Sequence, residues 1–110
     1  YPERVSCPFG RLDLTEVGSL TFERPDAERF PSLNYARQAI TMGGTMPAVM
    51  NAANEVAVNR FLADQIPFTA IFDTVREVME RHTVVQRPDL GAILEADRWA
   101  REAAQTLNRW

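Results

Sequence analysis

Residues 45–65 read TMPAVMNAANEVAVNRFLADQ, and this run sets the fold class. Thr45 is suited to cap a helix, and Pro47 is tolerated in a first turn, where its missing N–H costs nothing. At about 100° per residue, Asn51, Asn54, Glu55 and Asn59 fall within one arc of that helix, together with Val58 and Leu62. The rest of the circumference is Val49, Met50, Ala52, Ala53, Val56, Ala57 and Phe61, with Arg60 the exception. A helix apolar nearly all round belongs at the centre of its domain. Its polar arc is then expected to be at least partly covered, and covered amides and carboxylates must find partners. Two readings follow. Asn51, Asn54 and Glu55 could bind a ligand or metal, or they could hydrogen-bond a neighbouring segment such as residues 1–30. The second is preferred, because one carboxylate with amides is a poor divalent-cation cage, which usually combines several oxygen ligands.

Working outward, helical spacing continues on both sides. Upstream, Pro31 suits a first-turn position, Leu33, Ala36 and Ile40 make a stripe, and Gly43-Gly44 supplies a stop. Neither glycine belongs to a nucleotide-binding pattern. Downstream, Ile66-Pro67-Phe68 breaks the chain, since proline disfavours helix in the residue before it. Thr69 is read as the cap of a third helix, with Ile71, Val75, Val78 and His82 inward, flanked by Phe72 and Met79. Asp73, Arg76, Glu77, Glu80 and Arg81 make its outer face. Past Pro88, Asp89 is expected to cap a short turn through Leu90, Ile93 and Leu94. Asp97 is expected to cap a last helix with Ala100, Ala103, Leu107 and Trp110 on one face. The expectation is a mainly α protein, with residues 31–110 forming a four-helix-type bundle.

Residues 1–30 differ. Pro2, Pro8 and Pro25 interrupt them, and only Leu12-Asp13-Leu14 and Ser19–Glu23 alternate as strands do. One or two short strands bury little alone, so this part reads as an extended arm needing a surface, or an edge open to another copy of the chain.

Composition narrows the function. The 110 residues suit one domain, and the formal charge of −3 comes from 15 acidic and 12 basic residues spread along the chain, every basic one an arginine. No basic run exists to follow a phosphate backbone, so nucleic acid is not expected as a partner. No stretch approaches the ~20 apolar residues of a membrane span. The single Cys7 cannot form an internal disulfide, which points to a cytoplasmic setting. His82, the only histidine, sits at a helix end where a protonated ring gains from the dipole, a surface or capping role rather than a catalytic one. Cys7 reads as a bystander, the carboxylate pairs Asp13/Glu16 and Glu95/Asp97 as ordinary acidic surface, and Trp99 and Trp110 as packing residues. The start at Tyr1, without methionine, reads as a cut inside a longer chain.

An ordered set of short motifs resembles one family. Leu12-Asp13-Leu14 is followed by Leu20-Thr21-Phe22-Glu23, Pro25-Asp26, Arg29-Phe30-Pro31 and Leu33. Gly43-Gly44, Pro47, Asn51-Ala52-Ala53-Asn54-Glu55, Ala57-Val58 and Phe61-Leu62 come next, then Ile66, Phe68, Ile71 and Ala96-Asp97. In this order and spacing, over roughly residues 1–105, the chain resembles the 1-deoxy-D-xylulose 5-phosphate reductoisomerases. Arg11, Ser32 and Tyr35 stand where the family usually has proline, cysteine and an aliphatic residue.

The resemblance implies an NADPH-dependent enzyme that isomerises the sugar phosphate and reduces it to 2-C-methyl-D-erythritol 4-phosphate, an early step to isoprenoids, with Mg²⁺ or Mn²⁺ polarising the substrate. It also implies a homodimeric parent whose nucleotide, metal and substrate motifs lie upstream of Tyr1. No catalytic, cofactor-binding or metal residue is therefore assigned to this chain. It is expected to be an inactive structural domain braced against the catalytic part of the same parent; an autonomous interaction module is the alternative.

Overall fold

A computed structural model describes residues 2, 3, 5 and 8–107. Cys7 and Trp110 lie outside the described residues. The elements in order are α1 (Leu14–Val17), α2 (Ser32–Met42), α3 (Met46–Leu62), α4 (Ala70–Arg81) and α5 (Leu90–Thr106). Helix α3 packs against α2, α4 and α5, so the helix that is apolar nearly all round is the central one. Small residues let the axes approach closely: Ala52, Ala53 and Ala57 of α3 and Ala96, Ala100 and Ala104 of α5 are all buried. Met46, Val49, Val75 and Val78 complete the main core. A second cluster, Ala57, Ile66, Ala70 and Ile71, closes the end where α3 hands over to α4.

Local chemistry sets most boundaries. Pro31 immediately precedes α2, and its carbonyl accepts from the amides of Asn34 and Tyr35. Gly43 closes α2 at φ 67°, with its N–H on the carbonyl of Ala39. Helix α3 stops at Leu62, three residues short of the expected Gln65. Asp64 adopts a left-handed φ of 56°, and the Gln65 amide turns back onto the Arg60 carbonyl. Asp89 caps α5 by accepting from Ala92 N at 2.8 Å. In α4, Ile71, Val75, Val78 and Met79 face inward as the spacing requires, joined by Thr74, whose hydroxyl donates to Ala70 O.

Several expectations are corrected. Among the described residues no strand forms. Leu12–Leu14 instead leads into the single turn α1, because the Asp13 carboxylate accepts from both the amide and the hydroxyl of Thr15 and no strand lies alongside. The last stretch is one continuous helix rather than a turn plus a helix: nothing between Leu90 and Thr106 breaks it, and Asp97 is engaged by Arg101 one turn on, leaving it no role as a cap. Ala104 rather than Ala103 joins Ala100 and Leu107 in the core. On α2 the buried position is Ala39, flanked by half-buried Tyr35 and Ala36, while Leu33 and Ile40 face outward. A small residue at the seam allows close approach, and spacing alone cannot choose it over a longer apolar neighbour. Thr45 and Thr69 precede their helices as expected, yet neither side chain makes a capping bond.

The segment before α2 keeps almost nothing covered. Phe9 is 81% exposed and Phe22 85%, and Leu12, Leu14 and Leu20 are also exposed. Asp26 closes a turn by accepting from the amides of Glu28 and Arg29. Phe30 then meets Phe72 edge to face at 6.4 Å, the first step of an aromatic ladder running on to Phe68 and Phe61.

Candidate functional site

The Asn51–Glu55 segment is the natural place to look for chemistry. Its polar arc is not covered: Asn51, Asn54, Glu55 and Asn59 are all exposed, and Leu62 in the same arc is 71% exposed. Core packing explains the difference. Three neighbouring helices take the Val49–Ala52–Ala53–Ala57 side of α3, and no element of the bundle is left for the fourth side.

The partners differ as well. Asn51 Nδ2 donates to Glu55 Oε1 at 2.9 Å, and the Arg101 guanidinium donates to Glu55 Oε2 at 2.8 Å. Arg101 also donates to both oxygens of Asp97, at 2.7 and 3.2 Å. The result is a brace from α3 to α5 in place of the expected bond to residues 1–30. Hydrogen bonds from Arg101 first, and from Asn51 second, hold the Glu55 carboxyl below its usual range. The two carboxylates push the Arg101 guanidinium's pKa further upward. Each oxygen of Glu55 already accepts one hydrogen bond, from Asn51 and from Arg101. Among the described residues no group of three or more His, Cys, Asp or Glu side chains is placed to hold a metal ion.

Arg60, the exception on the apolar circumference of α3, is 6% exposed. Its Nη1 donates to the carbonyls of Ala104 and Leu107, each at 2.7 Å, closing the C-terminal end of α5. Helix C-termini carry unsatisfied carbonyls and partial negative charge, and a guanidinium answers both. The signal was present in the sequence as a lone cation on an apolar face; its partner was not.

His82 is the C-cap residue of α4, and it is half-buried rather than fully solvated. Its Nε2 lies 2.7 Å from Thr45 Oγ1 and its ring is 5.1 Å from that of Trp99. Burial pushes its pKa down, so the neutral form is favoured. The Gly44–Thr45 corner closes on the same place. Gly44 has φ 55°, and a Cβ there would overlap the Val85 carbonyl oxygen and lie 2.8 Å from Val84 Cγ1. The reading of Gly43-Gly44 as a helix stop therefore holds for Gly43 and understates Gly44.

Of the remaining acidic pairs, Asp13 caps α1, while Glu95 sits 3.8 Å from Arg98 at the surface. An open cleft of about 290 Å³ lies between α2, α3 and α4, lined by Leu33, Tyr35, Met50, Asn54 and Phe72 among others. Its lining carries no charged side chain; Ser32, Tyr35 and Asn54 supply its polar groups. No helix among the described residues is long and apolar enough to cross a membrane.

Residues 1–103 match a family model described as the DXP reductoisomerase C-terminal domain. The chain is 70% identical over 105 residues to the 1-deoxy-D-xylulose 5-phosphate reductoisomerase of Symbiobacterium thermophilum, covering 96% of this chain and 27% of that protein. Against the enzyme of the same name from Chlorobium limicola, identity is 50% over 107 residues, covering 97% and 28%. Among solved structures, the 1-deoxy-D-xylulose 5-phosphate reductoisomerase from Zymomonas mobilis in complex with NADPH superposes with a TM-score of 0.81 at 40% identity. It covers 96% of this chain and 28% of that one. The chain thus spans just over a quarter of the length of the curated relatives it matches.

Proposed function

The chain belongs to the DXP reductoisomerase C-terminal domain family, and on that premise we propose that it is the C-terminal structural part of an NADPH-dependent reductoisomerase. The parent converts 1-deoxy-D-xylulose 5-phosphate to 2-C-methyl-D-erythritol 4-phosphate for isoprenoid synthesis, in the cytoplasm and as a homodimer. Residues 1–30 act as the connecting arm and residues 31–110 as the bundle. The rest of the parent supplies NADPH binding, the Mg²⁺ or Mn²⁺ ion and every catalytic residue. Among the described residues, no group of three or more His, Cys, Asp or Glu side chains is placed to hold such an ion.

One observation carries the structural role. The bundle closes its own core, while Phe9, Leu12, Leu20 and Phe22 stand exposed on the segment leading into it. Four large apolar side chains left in water over so short a segment mark a surface built to be covered. In the parent, the catalytic part covers it, and the bundle acts as a brace through rigid packing rather than chemistry.

The test is direct. The isolated chain should give a helical circular-dichroism spectrum, bind no NADPH and show no substrate-dependent NADPH oxidation. Calorimetry with Mg²⁺ and inorganic phosphate should register no heat. Oxidation of NADPH by this chain in the presence of the sugar phosphate would overturn the assignment. A gene encoding these residues alone, with its own start codon, would favour the autonomous interaction module instead.

A further inference from the structure

The end of α4 is fastened to the start of α3 through one buried hydroxyl. Thr45 is fully enclosed. Its backbone N–H donates to Val85 O at 3.2 Å, and its Oγ1 accepts from Val85 N at 3.1 Å. The same Oγ1 stands 2.7 Å from His82 Nε2. A hydroxyl has one proton to give and two lone pairs. With one lone pair taken by Val85 N–H, its proton can point at Nε2, which requires a neutral ring carrying its hydrogen on Nδ1. Protonation reverses that bond. Nε2 becomes a donor, Oγ1 must accept twice, and the hydroxyl proton has to leave this line for an acceptor elsewhere in a buried setting.

The surroundings do not offset this. On α4, Arg81 borders the same cleft, and on α5, Glu95 does. They carry opposite charge, and each already has a partner, Glu77 for Arg81 at 3.7 Å and Arg98 for Glu95 at 3.8 Å. Thr45 on the α3 side and residues 83–85 bring no charge, and Trp99 presents its ring at a 39° tilt. Burial then decides, and it acts against the imidazolium.

We propose that His82 is a proton-operated latch. Neutral, it holds the 82–89 connection against Gly44–Thr45; protonated, it lets Val85 leave Thr45 and widens the cleft of about 360 Å³ between His82, Val85, Ala92 and Trp99. The connection is short, and Gln86 still ties it to Met42 O at 3.1 Å, so release is local rather than global.

Imidazolium quenches indole emission more than imidazole does, so Trp99 reports the state of the ring. In a Trp110→Phe background, which leaves Trp99 as the only tryptophan, emission is followed from about pH 8 down to about pH 5. The expected result is a quenching step with a midpoint below the ordinary imidazole value of 6.5. The Val85 amide should lose severalfold in protection factor over the same step, and both changes should vanish in His82→Gln, which keeps an acceptor but cannot titrate. Three results each overturn the latch: a midpoint at or above 6.5, an unchanged titration in H82Q, or a Val85 protection factor constant across the range.

Discussion

Replacing Arg60 by methionine keeps the apolar stem of a buried side chain and removes its guanidinium, and with it the two hydrogen bonds to the end of α5. Arg60 Nη1 reaches the carbonyls of Ala104 and Leu107 at 2.7 Å each, and both residues are buried. A hydrogen bond from a charged donor is worth about 1.5–3 kcal/mol net, and a carbonyl left buried without one costs a comparable amount. Both carbonyls sit at a helix end, where water can regain partial access, so the lower figure applies to each and the sum is about 3 kcal/mol. For a domain of this size about 4 °C accompanies each kcal/mol, so the melting temperature should fall by about 12 °C. Urea unfolding followed by circular dichroism measures the change, and the slope should stay constant if only the folded state is affected. Arg60→Lys, which keeps the charge but loses the planar fork, should fall in between. A loss below about 1 kcal/mol in Arg60→Met would refute the view that this residue closes the end of α5.

Two further expectations can be checked with the same assay. Gly44→Ala combines a left-handed backbone with overlap onto Val85 and should destabilise by about 2–4 kcal/mol; Gly43→Ala meets open space but has a backbone, at φ 67° and ψ −152°, that favours glycine, and should cost about 1–3 kcal/mol from strain alone. For pH, the Glu55 carboxyl is held low in the folded chain by Arg101, so the stability it contributes is present above its unfolded value of 4.5 and is lost as the pH falls below it. Glu55→Gln should therefore flatten that part of the acid limb by lowering stability at neutral pH while leaving it little changed in acid; an acid limb identical to the parent's would remove Glu55 from the account.

Much of the fold was legible because it follows from short-range rules. The near-complete apolar circumference of residues 46–62 required a central helix, Pro31 and Gly43 marked the limits of α2, and the period of Ile71, Val75 and Val78 identified the inner face of α4. Sequence and structure part where two local options are closely matched. Asp97 can cap a helix or pair with Arg101 one turn on, and only the uninterrupted packing of Ala96, Ala100 and Ala104 shows that the second wins. Leu12–Leu14 alternates as a strand does, but an isolated strand has no ladder to join, and the Asp13 side chain supplies turn bonds in its place.

The candidate site shows the same division more sharply. The amides and carboxylate of Asn51–Glu55 could be placed on one arc from spacing alone, since 3.6 residues per turn is a property of the backbone. Whether that arc is covered depends on how many helices surround α3 and from which sides, and three neighbours leave it in water. By itself the sequence determined the helix content, the central place of α3 and the resemblance that identifies the family. Tertiary structure alone decided that Glu55 pairs with Arg101 46 positions away, that Arg60 ends α5 and that His82 meets Thr45. Each of those contacts joins residues 37 or more positions apart, and no local propensity encodes which distant carbonyl or hydroxyl a folded chain will bring within 3 Å.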